Sequence, residues 1–295
     1  MLPRGEGRPQ GVAAPAGRSS SARPASGRVE VVGAAIAFER WSTGSDLDVV
    51  LVHGSGGQRE WWRTTIPHLL DFANVVALDL SGHGNSDHRA TYTHQLWARE
   101  VVEVARQLTR HPLLVGHSMG GLVSIAAAAL HPDVPRGVVA IDSKLRGTIA
   151  GPLSAPRRRR VFPTVDDAVG AFRLTPPQPV RDTAFVAHLA RTALRRVPHG
   201  WSWRSDPAVR GTFSSVDRDE LVRRVTCPLG VITAELSGVA LAGHVDDVRR
   251  EIAPRLHHMV LAGAYHHAMV DQAEELAAAI RRMCLRLAAE EQRHA

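Results

Sequence analysis

The chain of 295 residues has only two cysteines, Cys227 and Cys284. Two thiols so far apart form neither the spaced ligand set of a zinc site nor a disulfide framework, so both are expected to be buried free thiols. No apolar run reaches the length of a membrane span, and the N-terminus lacks the uninterrupted apolar segment that heads a secretory signal. A soluble, cytoplasmic protein without a membrane span is therefore the expectation. Residues 1 to 28 are poor in both acids and apolar residues: five arginines stand against one glutamate, a contribution of +4 to the net charge of +7. A segment so rich in Gly, Pro, Ser, Ala and Arg has nothing to bury and is expected to be a disordered leader. A transit peptide has a similar composition, but codon bias yields the same one. A chain starting at Ser26 is expected to melt at the same temperature and keep its activity. Without the leader the chain is only mildly basic, so no nucleic-acid partner is expected. A second cluster, Arg157 to Arg160, reads as a solvated helix face, with the steering of an acidic substrate or carrier as the alternative.

What is present suits a globular protein. Hydrophobic residues make up 44% of the chain, which is ordinary for one folded domain, here residues 29–295. From Val29 short β-branched runs alternate with amphipathic stretches, the pattern of a mostly parallel sheet with helices on both faces. Val31 to Phe38 reads as an opening hairpin. Strands are expected at Leu47 to Val52, Val75 to Leu80, Pro112 to Gly116, Gly137 to Asp142, Pro228 to Thr233 and His257 to Leu261. Helices are expected at Trp61 to Leu70, Thr93 to Thr109, Gly243 to Ile252 and Asp271 to Leu287. The rhythm breaks between residues 143 and 216, where prolines, four successive arginines and helical pieces suggest an insertion that caps the domain. Its Phe172, Phe185, Trp201 and Trp203 either face an acyl or aromatic substrate or form the cap's own core.

Residues 116 to 120 read Gly-His-Ser-Met-Gly, directly after an apolar strand and before the alanine-rich helix pattern Leu122 to Leu130. A Gly-x-Ser-x-Gly between strand and helix is a nucleophile elbow. In a turn this tight, side chains at Gly116 and Gly120 would collide with neighbouring backbone, and Ser118 is lifted clear of the sheet. The helix that follows aims backbone donors at developing negative charge. A neutral serine hydroxyl needs a base, which makes one of the 16 histidines a candidate partner.

With His53-Gly54-Ser55-Gly56, the loop Asp79 to Asp87, the elbow, and Gly263-Ala-Tyr-His266-His267 before a last helix, the chain resembles the α/β-hydrolase superfamily from Val29 to Leu287. The resemblance implies an α/β-hydrolase fold with a small helical cap. It places the base at the first histidine after the Gly-Ala-x turn, His266, with the adjacent His267 as competitor. His53 and His117 then shape their turns by packing. The oxyanion donors implied are the backbone N–H groups of Met119 and Ser55. The usual acid would follow the strand at Pro228 to Thr233, but Ser237 and Gly238 stand there. Asp142, ending the strand after the elbow helix, is the preferred replacement, and Glu235 the second. The activity implied is ester hydrolysis through an acyl-enzyme, with a small-molecule acyl substrate and no cofactor or metal. Thioester or carbon–carbon bond hydrolysis and acyl transfer use the same residues, and a ligand receptor on this fold is the non-enzyme alternative. A serine at the elbow argues against epoxide hydrolase and haloalkane dehalogenase chemistry, for which the superfamily uses aspartate.

Overall fold

The computed structural model describes residues 23–149, 159–210, 216–240, 242–252 and 256–294. Most of the expected leader, residues 1–22, and Arg157 and Arg158 of the second basic cluster lie outside the described residues. The chain opens on a hairpin of β1 (Ala25–Val31) and β2 (Ala34–Trp41), whose two-residue turn has φ of +47° at Val32 and +71° at Gly33. Next come β3 (Asp48–Val52), β4 (Asn74–Leu78), α1 (His94–Leu108), β5 (Leu113–His117), α2 (Met119–Leu130) and β6 (Gly137–Ile141). The inserted stretch holds β7 (Thr148–Ile149), α3 (Val165–Ala171), α4 (Thr183–Thr192), β8 (Leu194–Val197), β9 (Gly200–Trp203) and β10 (Val216–Asp217). The chain then runs through α5 (Arg218–Arg224), β11 (Leu229–Ala234), α6 (Ala242–Ile252), β12 (Leu256–Leu261), α7 (Ala268–Asp271) and α8 (Ala273–His294). The eight-stranded sheet has the order β1-β2-β4-β3-β5-β6-β11-β12, antiparallel at its first two pairings and parallel in the rest.

The central strands are predominantly apolar because both their faces are covered. In β3, Val50 and Val52 join one core with Trp97 and Val101 of α1 and Val123 of α2, while Val49 and Leu51 join the other with Ile280 and Met283 of α8. The period of two in side-chain direction thus divides one run of five residues between two cores. Among the described residues, no helix is long and apolar enough to cross a membrane.

Three expectations need correction. Strand β1 begins at Ala25, and Arg28 bonds the Asp87 carboxylate, so residues 25–28 belong to the sheet and not to the leader. A cut at Ser26 would remove the first pair of the ladder, Ala25 with Arg40. The dispensable segment should therefore end before Arg23: a chain starting there is expected to match the full chain in melting temperature and turnover. The helix expected over Trp61 to Leu70 is two short 3₁₀ turns, Arg59–Trp62 and Ile66–His68, because Pro67 has no N–H to continue an α-helix. The cap is not purely helical, since β8 and β9 form a hairpin in it. Phe162, Ala168 and Leu194 form a small core there, with Trp201 and Trp203 packed against it. Phe185 and Leu189 of α4 bury against Val270, with Trp61 and Phe172 alongside, fastening the cap to the main domain.

Candidate active site

Strand β5 delivers Ser118 at the carboxyl edge of the sheet with φ +53° and ψ −117°, a conformation L-residues avoid unless the surroundings enforce it. The enforcement is steric. A Cβ on Gly116 would lie 2.2 Å from the Gly120 carbonyl oxygen, and one on Gly120 would lie 2.3 Å from that of Val52. The Ser118 N–H donates to the Ile141 carbonyl at 2.8 Å, tying the elbow to the end of β6. Ser143, which the sequence did not mark, donates its hydroxyl to the Ser118 carbonyl at 2.8 Å. Ser118 itself is half-buried. Met119 opens α2 directly after the serine, ahead of the Gly121 N–H, which donates to the Ser118 carbonyl at 3.1 Å.

The loop after β3 passes close to this turn. A Cβ on Gly54 would come within 3.3 Å of the Ser118 Cβ. Ser55 is exposed in a turn closed by the Gly57 N–H on the Gly54 carbonyl at 3.0 Å, with Gly56 at φ +72°. His53 is buried beneath it. Its Nδ1 donates to the Gly54 carbonyl at 2.8 Å and its Nε2 accepts the Leu80 N–H at 3.1 Å, which spends both nitrogens on the backbone. Burial, and then the nearby Arg59, push its pKa down to about 4, against a partial offset from the Gly54 hydrogen bond. The following loop is organised by the buried Asp79, which accepts the Arg59 N–H at 2.6 Å and the Asn85 N–H at 2.8 Å and pairs with the Arg59 guanidinium.

His266 arrives from the turn after β12. Its Nδ1 donates to Asp142 Oδ2 at 2.6 Å, and both side chains are buried. That bond leaves the other ring nitrogen, Nε2, as the basic one. His117 donates its Nε2–H to the His266 carbonyl at 2.8 Å, and the two ring centroids are 4.6 Å apart, so the residue before the serine braces the turn that carries His266. Burial, with His266 and His267 nearby, holds His117 well below the usual histidine range. The His267 ring lies 4.8 Å from that of His266 and 5.0 Å from that of Trp61 between centroids, and its backbone N–H donates to Gln178 of the cap at 2.8 Å. Its pKa is pushed down to about 3, first by burial and then by His266. A ring nitrogen from each of His117, His266 and His267 lies within 4.8 Å of the others. That is a transition-metal ligand type; His266 Nδ1 and His117 Nε2 are bonded to protein acceptors, and each of these rings keeps its second nitrogen.

Asp142 continues the β6 ladder, donating its N–H to Ile232 of β11 at 2.7 Å, and then takes φ +45°. Its carboxylate accepts the Ala234 N–H at 3.3 Å and the Ser237 hydroxyl at 2.5 Å in addition to His266. Ser237 thus occupies the place where an acid was sought and binds the acid that lies one strand away. Glu235 is exposed and turned elsewhere: its Oε2 accepts the Gly263 N–H at 2.7 Å. A separate groove of about 720 Å³, lined by Arg28, Asp87, Arg195 and Arg204 among others, includes none of Ser118, Asp142 and His266.

A sequence model of the alpha/beta hydrolase family matches residues 49–279. The chain is similar to esterase Rv0045c of Mycobacterium tuberculosis, at 30% identity over 219 residues, 69% of this chain and 71% of that one. It is also similar to 2-hydroxymuconate semialdehyde hydrolase of Pseudomonas sp. strain CF600, at 33% identity over 120 residues, 39% of this chain and 42% of that enzyme. Among solved structures, the thioesterase domain from the curacin biosynthetic pathway superposes with a TM-score of 0.74 at 22% identity, covering 88% of this chain and 99% of that domain. At that identity the likeness is one of fold.

Proposed function

The chain belongs to the alpha/beta hydrolase family, and from that premise we propose that it is a serine hydrolase that cleaves a carboxylic ester through an acyl-enzyme on Ser118. The observation that carries the proposal is the buried 2.6 Å bond from His266 Nδ1 to Asp142 beside a strained Ser118 turn. Ser118 Oγ attacks the substrate carbonyl carbon while His266 Nε2 removes its proton, and Asp142 stabilises the imidazolium that forms. The N–H groups of Met119 and Ser55 receive the oxyanion. As the tetrahedral species collapses, the imidazolium passes its proton to the departing alkoxide, leaving an ester on Ser118. Water activated by the same nitrogen then releases the acid and restores the serine.

His267 lies outside this relay, with its backbone on Gln178 and its ring towards Trp61. His267→Ala should therefore keep turnover of a small activated ester within about threefold of the original chain, whereas His266→Ala should not. Exchange of the two phenotypes would move the base by one residue.

The similarity to a semialdehyde hydrolase favours carbon–carbon bond hydrolysis as the second reading, since the same serine and histidine serve both reactions. A panel of acyl esters and thioesters of graded chain length, run beside a vinylogous diketone substrate, tests the choice. Ester turnover that disappears in Ser118→Ala supports the first reading. Turnover of the diketone alone replaces it with the second.

A further inference from the structure

We propose that His117, His266 and His267 form a binding site for a transition-metal ion of the zinc type, and that an ion held there shuts off turnover by occupying the nitrogen His266 needs as a base. The inhibition rests on the reading of His266 given above, whereas the binding stands without it. One ring nitrogen of each histidine lies within 4.8 Å of the others, and all three side chains are buried. Ring centroids are 4.6 Å apart for His117 and His266, 4.8 Å for His266 and His267 and 5.7 Å for His117 and His267, so the rings surround one small space. Nitrogens held by a tetrahedral zinc at about 2.0–2.1 Å stand roughly 3.3 Å apart, so a closure of about 1.5 Å completes the site. Imidazole nitrogens suit Zn²⁺, Cu²⁺ and Ni²⁺.

The hydrogen bonds behind the rings are those of a metal ligand set. A ligating histidine donates its other N–H to a carboxylate or a backbone carbonyl, which fixes the tautomer and aims the remaining lone pair. His266 gives its Nδ1–H to the buried Asp142 carboxylate at 2.6 Å, and His117 gives its Nε2–H to the His266 carbonyl at 2.8 Å. His267 points to a ligand independently. Among the described residues it is the one histidine whose two ring nitrogens are both buried without a hydrogen-bond partner. Buried polar groups in folded proteins are paired, so such a ring calls for an ion, a water or a donor. The carbonyls of Thr175 and Pro176 lie close enough to favour a proton on this ring, but neither meets hydrogen-bond geometry with it. Its backbone, in contrast, is fixed: the N–H donates to Gln178 Oε1 at 2.8 Å, and the carbonyl accepts the Val270 N–H at 3.0 Å. The ring can therefore turn about its last torsion, which is broad for histidine, and close the gap without moving the chain. Once the ion takes the Nε2 lone pair of His266, that nitrogen can no longer accept the Ser118 proton, and Asp142 offsets part of the ion's charge through the ring.

The test titrates Zn²⁺ into the full chain, His267→Ala and His267→Phe during turnover of an activated ester. The visible absorption of Co²⁺ reports coordination in these proteins and in Ser118→Ala, and nitrogen NMR of the histidine rings shows which of them take the ion. The full chain is expected to lose turnover as one ion binds and to regain it with a chelator. Both His267 variants should keep their basal turnover, because this side chain lies outside the relay. They should need at least about thirtyfold more Zn²⁺ for half inhibition, since loss of even a partner behind a metal ligand costs roughly 10–100-fold in affinity. Co²⁺ absorption of the tetrahedral type should appear in the full chain and in Ser118→Ala and be absent from the His267 variants. A full chain that millimolar Zn²⁺ does not inhibit, or inhibition as strong in both His267 variants, would overturn the inference. Should neither variant fold, ring shifts confined to histidines other than 117, 266 and 267 would overturn it instead. Ester turnover that survives in Ser118→Ala while its Co²⁺ absorption matches the full chain would leave the metal site standing and remove the hydrolase reading beneath the inhibition.

Discussion

Replacing Ser118 with alanine is expected to lower turnover of an activated ester by at least roughly 10⁴-fold while leaving the melting temperature within a few degrees of the original. The turn's geometry does not depend on the hydroxyl. It rests on Gly116 and Gly120, which admit no Cβ, on the backbone bond from the Ser118 N–H to the Ile141 carbonyl, and on the Ser143 hydroxyl that donates to the Ser118 carbonyl. Loss of the oxygen removes the covalent route and leaves only binding and whatever the oxyanion donors contribute to attack by water. His266→Ala should be about as damaging, because a base and its nucleophile act as one unit and their losses do not add. Initial rates on a chromogenic ester, with circular dichroism melts as control, measure both. More than about a tenth of the original rate in Ser118→Ala would rule out the covalent mechanism.

Asp142→Asn is expected to lower kcat by roughly 10⁴-fold, since the amide can present its NH₂ to His266 Nδ1 and so favour the wrong tautomer without changing the shape of the site. Asparagine also tolerates the positive φ of this position, so the fold should survive. Glu235→Gln should cost less than about tenfold, because that side chain holds the Gly263 N–H and an amide oxygen can accept the same bond. Steady-state kinetics of the two variants separate the candidates directly. A Glu235→Gln loss as large as that of Asp142→Asn would contradict the assignment of the acid to Asp142 alone.

The elbow and the order of elements were legible in the sequence because both follow local rules. Glycines around Ser118 mark a turn without space for side chains, and β-branched runs such as that at Val49 to Val52 mark strands buried on both faces. The acid was not legible to the same degree. Choosing between Asp142 and Glu235 requires knowing that β6 and β11 are neighbours in the sheet, although 87 residues separate Ile141 from Pro228 in order of chain, a spacing that carries no local signal. The serine at 237 was visible only as the lack of an aspartate. Its contact with Asp142 arises from that same non-local pairing. Trp201 and Trp203 offered two readings for a related reason: apolar side chains do not say which apolar surface they meet, and here they lie against Phe162 and its neighbours in the cap. The 3₁₀ turns near Trp62 show local chemistry overriding periodicity, with Pro67 denying the N–H that the apolar spacing would have used.

The central claim is that Ser118 is a nucleophile activated by His266, and its most direct test is reaction of the full chain with an organophosphonate followed by peptide mass spectrometry. The account predicts one adduct per chain, on the peptide containing Ser118, formed much more slowly in His266→Ala and Asp142→Asn and not at all in Ser118→Ala. An unlabelled Ser118 in the folded original chain, or equal labelling in His266→Ala, would contradict it.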